Sequence, residues 1–357
     1  MNERGFFLQV HIESSEVMHV NKKVAKGLVA AIVMLILIFD AKTAASGAAN
    51  GISLCIQVLI PSLFPFFVFS TLLTSVLIGT SSNILRPLGS ILRIPPGSES
   101  LFLIGILGGY PVGAQSVCQA RKDGYLQSSD AMRMIGFCSN AGPAFVFGVV
   151  SIQFPSITYA WLIWGVLILS ATLTAFLLPS GSNKHIVLGH TKEYTIAQSL
   201  EKSLRILVSV CGWVILFRIV VSYMDKWFLW MLPKSFIICI QMLLELGIGC
   251  TNLINIDNVS LRFVACTTGL AFGGLCVLFQ TISVAGKDGI GLYLPEKLLQ
   301  ALIASFISVI VVSVIEFGFH IQLLICIILL VVLTITILTL NYKKQQKNCG
   351  NIVQPVV

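Results

Sequence analysis

The sequence predicts an all-α polytopic membrane protein of two homologous halves with broken or re-entrant helices. Three observations predict it. The chain of 357 residues is 56% hydrophobic and only 11% charged, whereas a soluble domain carries about 25% charged residues. Apolar stretches of roughly 20 residues recur, the length that takes a helix across about 30 Å of hydrocarbon, and the alternating strands of a membrane barrel do not accompany them. Gly- and Pro-rich motifs interrupt several of these stretches, and two of the motifs recur in a common frame.

Residues 1–26 form a polar N-terminal segment in which Lys22, Lys23 and Lys26 precede the apolar run 27–39. The run is short and Ala44-Ala45-Ser46 follows it, which leaves a cleaved signal peptide open. A first transmembrane helix with its linker over 27–50 is the preferred reading, because no soluble exported domain follows. Met1 and Met18 both stand as starts. The stretch 52–79 is apolar but carries Pro61 and Pro65, each lacking a backbone donor, so a kinked or interrupted helix is expected. Stretch 101–118 contains Gly108, Gly109, Pro111 and Gly113 and reads as re-entrant; 134–153 is broken again at Ser139-Asn140-Ala141-Gly142-Pro143; 156–178 is a plain span. These make a first half over 51–178. A hydrophilic linker over 179–202 separates it from a second half over 203–317, with spans at 204–224, 227–246, 259–286 and 295–317. A last helix over 318–340 and a tail over 341–357 with Lys343, Lys344 and Lys347 close the chain, the tail cytoplasmic by the positive-inside rule.

The net charge of +8 is spread over short loops and the two ends, which suits a lipid surface and not nucleic acid. Of the ten cysteines none forms a CxxC pair, and most lie in or beside apolar stretches, so they read as small hydrophobes. No HExxH, GxSxG or phosphate-binding loop occurs, and the five histidines form no ligand set. An enzyme, a cofactor and a metal are therefore not expected.

The internal repeat is the sharpest signal. The octet 108–115, GGYPVGAQ, matches 273–280, GGLCVLFQ, at four of eight positions, and the same offset aligns Lys122-Asp123-Gly124 with Lys287-Asp288-Gly289. Paired interruptions in duplicated membrane halves are the pattern of secondary transporters, whose solute sits near the midplane. Breaking a helix frees backbone donors and acceptors that protein, water or solute must satisfy, and half-helix N-termini suit anionic groups. The expected solute contacts are Gly108, Gly109, Tyr110, Pro111 and Gln115 in the first motif, Ser139, Asn140, Gly142 and Pro143 in the second, and Gly273, Gly274 and Gln280 in the third. Each glutamine could equally bond a neighbouring helix. Glu245, at the end of an apolar run, is the expected coupling group for a proton or sodium ion. Arg218 could attract the anion, pair with Glu245 or snorkel. Glu316 and His320 read as interfacial.

Five motifs in this order, PSLFPFFVFSTLL (61–73), GGYPVGAQ (108–115), FCSNAGPAFVFGVV (137–150), LLELGIGC (243–250) and AFGGLCVLFQ (271–280), resemble those of the YlbJ-like sporulation integral membrane proteins, built on two nucleoside-recognition "Gate" domains. The resemblance covers about residues 27–340. It implies a Gate-type fold and a role in endospore formation, as a transporter of dipicolinic acid across the outer forespore membrane. This chain has Gln115 where the family usually has Lys, and Cys276, Leu278 and Phe279 in place of its more polar residues. The expected partners are the lipid bilayer and a small anionic solute, with a homo-oligomer left open; a non-transporting membrane scaffold of spore formation and a nucleoside-like solute are the alternatives.

Overall fold

A computed structural model gives the fold, and its described residues are 24–77, 85–179, 193–286 and 291–317. The second KDG copy at 287–289, His320, the expected last helix over 318–340, the basic tail and the two candidate starts lie outside them. Among the described residues every regular element is a helix. Five stretches are long and apolar enough to cross a membrane, and the chain is an all-α multi-pass membrane protein.

Helix α1 (Val24–Phe39) ends at Asp40, whose carboxylate caps the next helix by accepting the N–H of Thr43. Helix α2 (Ala41–Leu77) runs through both prolines. The expected interruption takes the form of a π-helical segment, Cys55–Leu59, just before Pro61. A wider turn there accommodates a residue that cannot donate. Short helices follow: α3 (Arg86–Leu92), α4 (Glu99–Gly108), α5 (Val112–Lys122), α6 (Ser128–Phe137) and α7 (Pro143–Gln153), then the long α8 (Ile157–Leu177).

Helix α9 (Ile196–Trp227) begins inside the stretch read as linker, because Thr195 and Gln198 form a reciprocal capping box. After it come α10 (Lys234–Leu244), α11 (Leu246–Thr251), α12 (Val259–Phe272), α13 (Gly274–Ala285) and α14 (Tyr293–Phe317). Together α12 and α13 count as one span, 259–285. The other four spans are α2, α8, α9 and α14 up to Glu316.

Helix α9 lies along α2. Gly47 and Gly51 occupy one face of α2, and a Cβ on either would come within 2.9 Å of the Ile219 or Ile215 Cα. Small residues at this spacing let helix backbones approach, the main route to tight association where no hydrophobic effect operates. At one end of the contact Lys226 Nζ donates to the Asp40 carboxylate. Elsewhere α14 packs on α6, α8 and α12, and α5 packs on α13.

The C-terminal end of α7 is fixed by Arg262 of α12. Its guanidinium donates to the carbonyls of Gln153 at 2.6 Å, Ile254 at 3.2 Å and Ile256 at 2.7 Å. This fork satisfies carbonyls that the ends of helices leave free. Arg262→Lys keeps a charge but not the planar fork, and is expected to cost about 1–2 kcal/mol, read as a lower melting temperature in detergent. An unchanged melt would show that water replaces the fork.

Candidate functional site

Four helix interruptions meet in the interior. The first, between α4 and α5, contains Gly109 in the left-handed region (φ +71°) and a cis Tyr110–Pro111 peptide. The second, between α6 and α7, is the run from Cys138 to Gly142, of which Cys138, Ser139, Asn140 and Ala141 are buried. The third is the single extended residue Glu245 between α10 and α11 (φ −146°). The fourth, between α12 and α13, has Gly273 at φ +90° and Gly274 at φ +72°.

The breaks touch through backbone. A Cβ on Gly109 would lie 2.7 Å from the Gly142 nitrogen, and one on Gly274 would lie 2.9 Å from the Met242 carbonyl oxygen. Tyr110 joins the first break to the fourth: its phenol donates to the Leu270 carbonyl at 2.7 Å, and a Cβ on Gly273 would meet that phenol oxygen at 3.2 Å. The two Gly-Gly motifs of the sequence repeat are thus both helix-break-helix units, and they face one another.

Between the breaks lies an open cavity whose empty volume, counted out to its mouth and the solvent there, is about 530 Å³. Its wall includes Gly108, Gly109 and Tyr110, Gly142, Glu245 and Gln280. Apolar residues of α2 and α9, among them Leu63 and Val214, complete it. Six residues expected from the sequence therefore come together around one space. Pro111, Gln115, Ser139, Asn140, Pro143, Gly273, Gly274 and Arg218 do not line it.

Glu245 is buried, at 4% exposure. Oε1 accepts the N–H of Gly247 at 2.8 Å and Oε2 that of Ile248 at 2.7 Å. The carboxylate thus caps α11, a position where a negative charge meets free donors and a favourable helix dipole. Among the described residues it forms no ion pair with Arg218, whose Nε is buried without a hydrogen-bond partner on the half-buried middle of α9. Gln280 donates through Nε2 to Cys276 Sγ at 3.3 Å. A thiol is a weak acceptor, and the amide stays available to a better one. Gln115 is half-buried, and its Oε1 has no hydrogen-bond partner.

Ser139 and Asn140 sit behind the cavity wall, where sequence reasoning missed three residues of the first turns of α14. Lys297 is fully buried, at 0% exposure. Its Nζ donates to the Ser139 carbonyl and to Gln300 Oε1, both at 2.7 Å. Gln300 in turn donates to Asn140 Oδ1 at 2.7 Å, and Asn140 donates to the Phe137 carbonyl at 2.7 Å. Glu296 turns toward α6, where Oε2 accepts the N–H of Gly136 at 3.0 Å. The network takes up backbone groups that the second break sets free. Glu296-Lys297 with Gln300 one turn on stands at the head of an apolar span, a position that ordinarily reads as a snorkelling helix end. The signal was their spacing, which puts Lys297 and Gln300 on one helix face. Glu316, exposed, lies at the far end of α14 and bonds with the half-buried Ser260 hydroxyl.

Among the described residues no group of three or more histidine, cysteine or acidic residues could hold a metal ion. No protein-family model matches the chain, and no solved structure matches it. A stretch of 107 residues, 29% of the chain, is 30% identical to the sporulation integral membrane protein YlbJ of Bacillus subtilis (strain 168). The chain spans about a quarter of that curated relative's length, 26%. With five spans among its described residues, this is a multi-pass integral membrane protein that over the matched stretch is similar to a sporulation membrane protein.

Proposed function

We propose that the chain is a secondary transporter of a small anionic solute, of the dipicolinic acid class, working in spore formation at the outer forespore membrane. The observation that carries this reading is the meeting of four helix breaks inside an apolar bundle, three of which line one open cavity. Irregular backbone at membrane depth is tolerated where it lines a cavity, and transporters place their solute at such breaks. The relative's name supplies sporulation, and the motif resemblance supplies the Gate-type halves and the solute.

In this reading the solute enters between α2, α9 and the break at Gly109 and is met by Gln280, Tyr110 and the backbone at Gly142. Glu245 holds the lip of the cavity in place and serves the coupling ion, a proton or sodium. One observation favours a second solute class. The side chains that can hydrogen-bond into the cavity are Glu245, Gln280 and Tyr110, with no cation among them, a set that suits a neutral nucleoside-like heterocycle.

Uptake of labelled dipicolinate into proteoliposomes holding the purified protein tests the proposal, with a labelled nucleoside beside it. Saturable dipicolinate flux above empty vesicles is expected. Flux of the nucleoside alone would move the assignment to the second class. Flux of neither would sink transport and leave a scaffold role.

A further inference from the structure

We infer that Lys297 is the counter-charge for a carboxylate of the transported solute, screened from the cavity in this conformation by the ring of Tyr110. The assignment rests on the transport reading above and names the cation that the cavity wall lacks.

Burying an ammonium costs several kcal/mol unless an opposite charge answers it, and Lys297 makes no contact ion pair; the Glu296 carboxylate acts on it only from beyond that distance. No carboxylate lies within ion-pair distance of it among the described residues. Glu296, its neighbour in sequence, spends one oxygen on the Gly136 N–H, and its Oε1 finds no hydrogen-bond partner at all. The acceptors Lys297 does have, the Ser139 carbonyl and the Gln300 amide oxygen, are neutral. An ammonium has three donors, so one is left over. What lies beyond them is the face of Tyr110, its centroid 5.4 Å from Nζ, within cation–π reach.

Tyr110 is also a wall of the cavity. Tyr110 thus touches the buried cation on one side and the solute space on the other, and its phenol is held by a bond to the Leu270 carbonyl. A rotation of the ring that gave up this bond would bring the third N–H of Lys297 to the cavity. The positions of Ser139 and Asn140, behind the wall rather than in it, follow from the same arrangement. Ser139 steadies the cation directly through its carbonyl and Asn140 does so through Gln300; neither lines the cavity in this conformation.

The test compares two probes of one shape, dipicolinate and the neutral pyridine-2,6-dicarboxamide, binding to full-length protein in nanodiscs. Wild type is expected to prefer the dicarboxylate. Lys297→Gln is expected to lose about tenfold of that preference, equivalent to about 1.4 kcal/mol, with dicarboxamide affinity little changed, while Lys297→Arg keeps it. An unchanged preference in Lys297→Gln overturns the assignment and leaves transport standing; equal weakening of both probes makes Lys297 a structural staple of the second break and overturns it too. Wild type that binds neither probe overturns the transport reading and this assignment together. Should Lys297→Gln fail to fold, Tyr110→Phe keeps the cation and removes only the latch. It is expected to speed association of the dicarboxylate and not of the dicarboxamide, and equal rates for both would overturn the assignment.

Discussion

Glu245→Ala is expected to leave a protein that melts well below wild type and takes up no solute. The side chain is buried and accepts two backbone N–H bonds, from Gly247 and Ile248. Truncation strands both donors in the interior, at about 1–3 kcal/mol for each unsatisfied group. It also frees the one residue that joins α10 to α11, so the lip of the cavity loses its shape. Glu245→Gln separates charge from capping. Its amide has one oxygen, so one donor is kept and an N–H₂ group faces the other. An intermediate loss of stability is expected, with uptake lost if the carboxylate serves the coupling ion. Melting curves in detergent and flux in proteoliposomes read the two effects separately. A Gln variant with wild-type flux would confine Glu245 to capping.

The second large effect is expected at Gly113, on the first turn of α5. A Cβ there would sit 1.9 Å from the Cys138 carbonyl oxygen and 2.9 Å from the Gly105 Cα. Both obstacles are backbone, so no side-chain rotation relieves them, and the first and second breaks would have to move apart by more than an ångström. Forced overpacking commonly costs about 1–3 kcal/mol, and a backbone obstacle belongs at the upper end or above. Gly113→Ala is expected to yield little monodisperse protein. Gly165→Ala on the lipid-facing side of α8, where an added Cβ meets nothing within 4 Å, is the matched control and is expected to behave as wild type. Equal melting temperatures for the two variants would show that the breaks are looser than their contacts imply.

Much of this was legible in the sequence. Three of the break positions followed from Gly109, Pro111, Pro143 and the second Gly-Gly pair, because few other residues tolerate a left-handed or donor-free backbone. The spans of α8, α9 and α14 followed from apolar length alone, whereas the stretch 227–246, read as a span, holds only the 11-residue α10 and breaks at Glu245. That Glu245 and Gln280 reach one cavity while Gln115 does not could not be read, since equivalent places in a repeat need not face the same space after two copies pack together. Pro61 and Pro65 suggested a gap, yet Cys55–Leu59 absorbs the strain as a π turn, a local choice that composition does not encode. Lys297 was hidden for a different reason. At the head of an apolar helix a lysine ordinarily reaches for water, and only the packing of α14 against the second break turns it inward.

Several of the cross-links described above run between the two halves of the chain. Tyr110 bonds to Leu270, Gly136 to Glu296 and Asn140 to Gln300, while α2 finds its close partner in α9. During synthesis, therefore, the opening helices must wait in the bilayer, with Gly47 and Gly51 facing lipid and the broken segments short of their acceptors, until the later ones emerge. A ribosome that stalls before α14 releases a chain whose interior lacks its buried charge and whose second break has no Lys297 to take the Ser139 carbonyl. A gene cut at the linker would hand the membrane two fragments, each carrying half of each of these inter-half stitches.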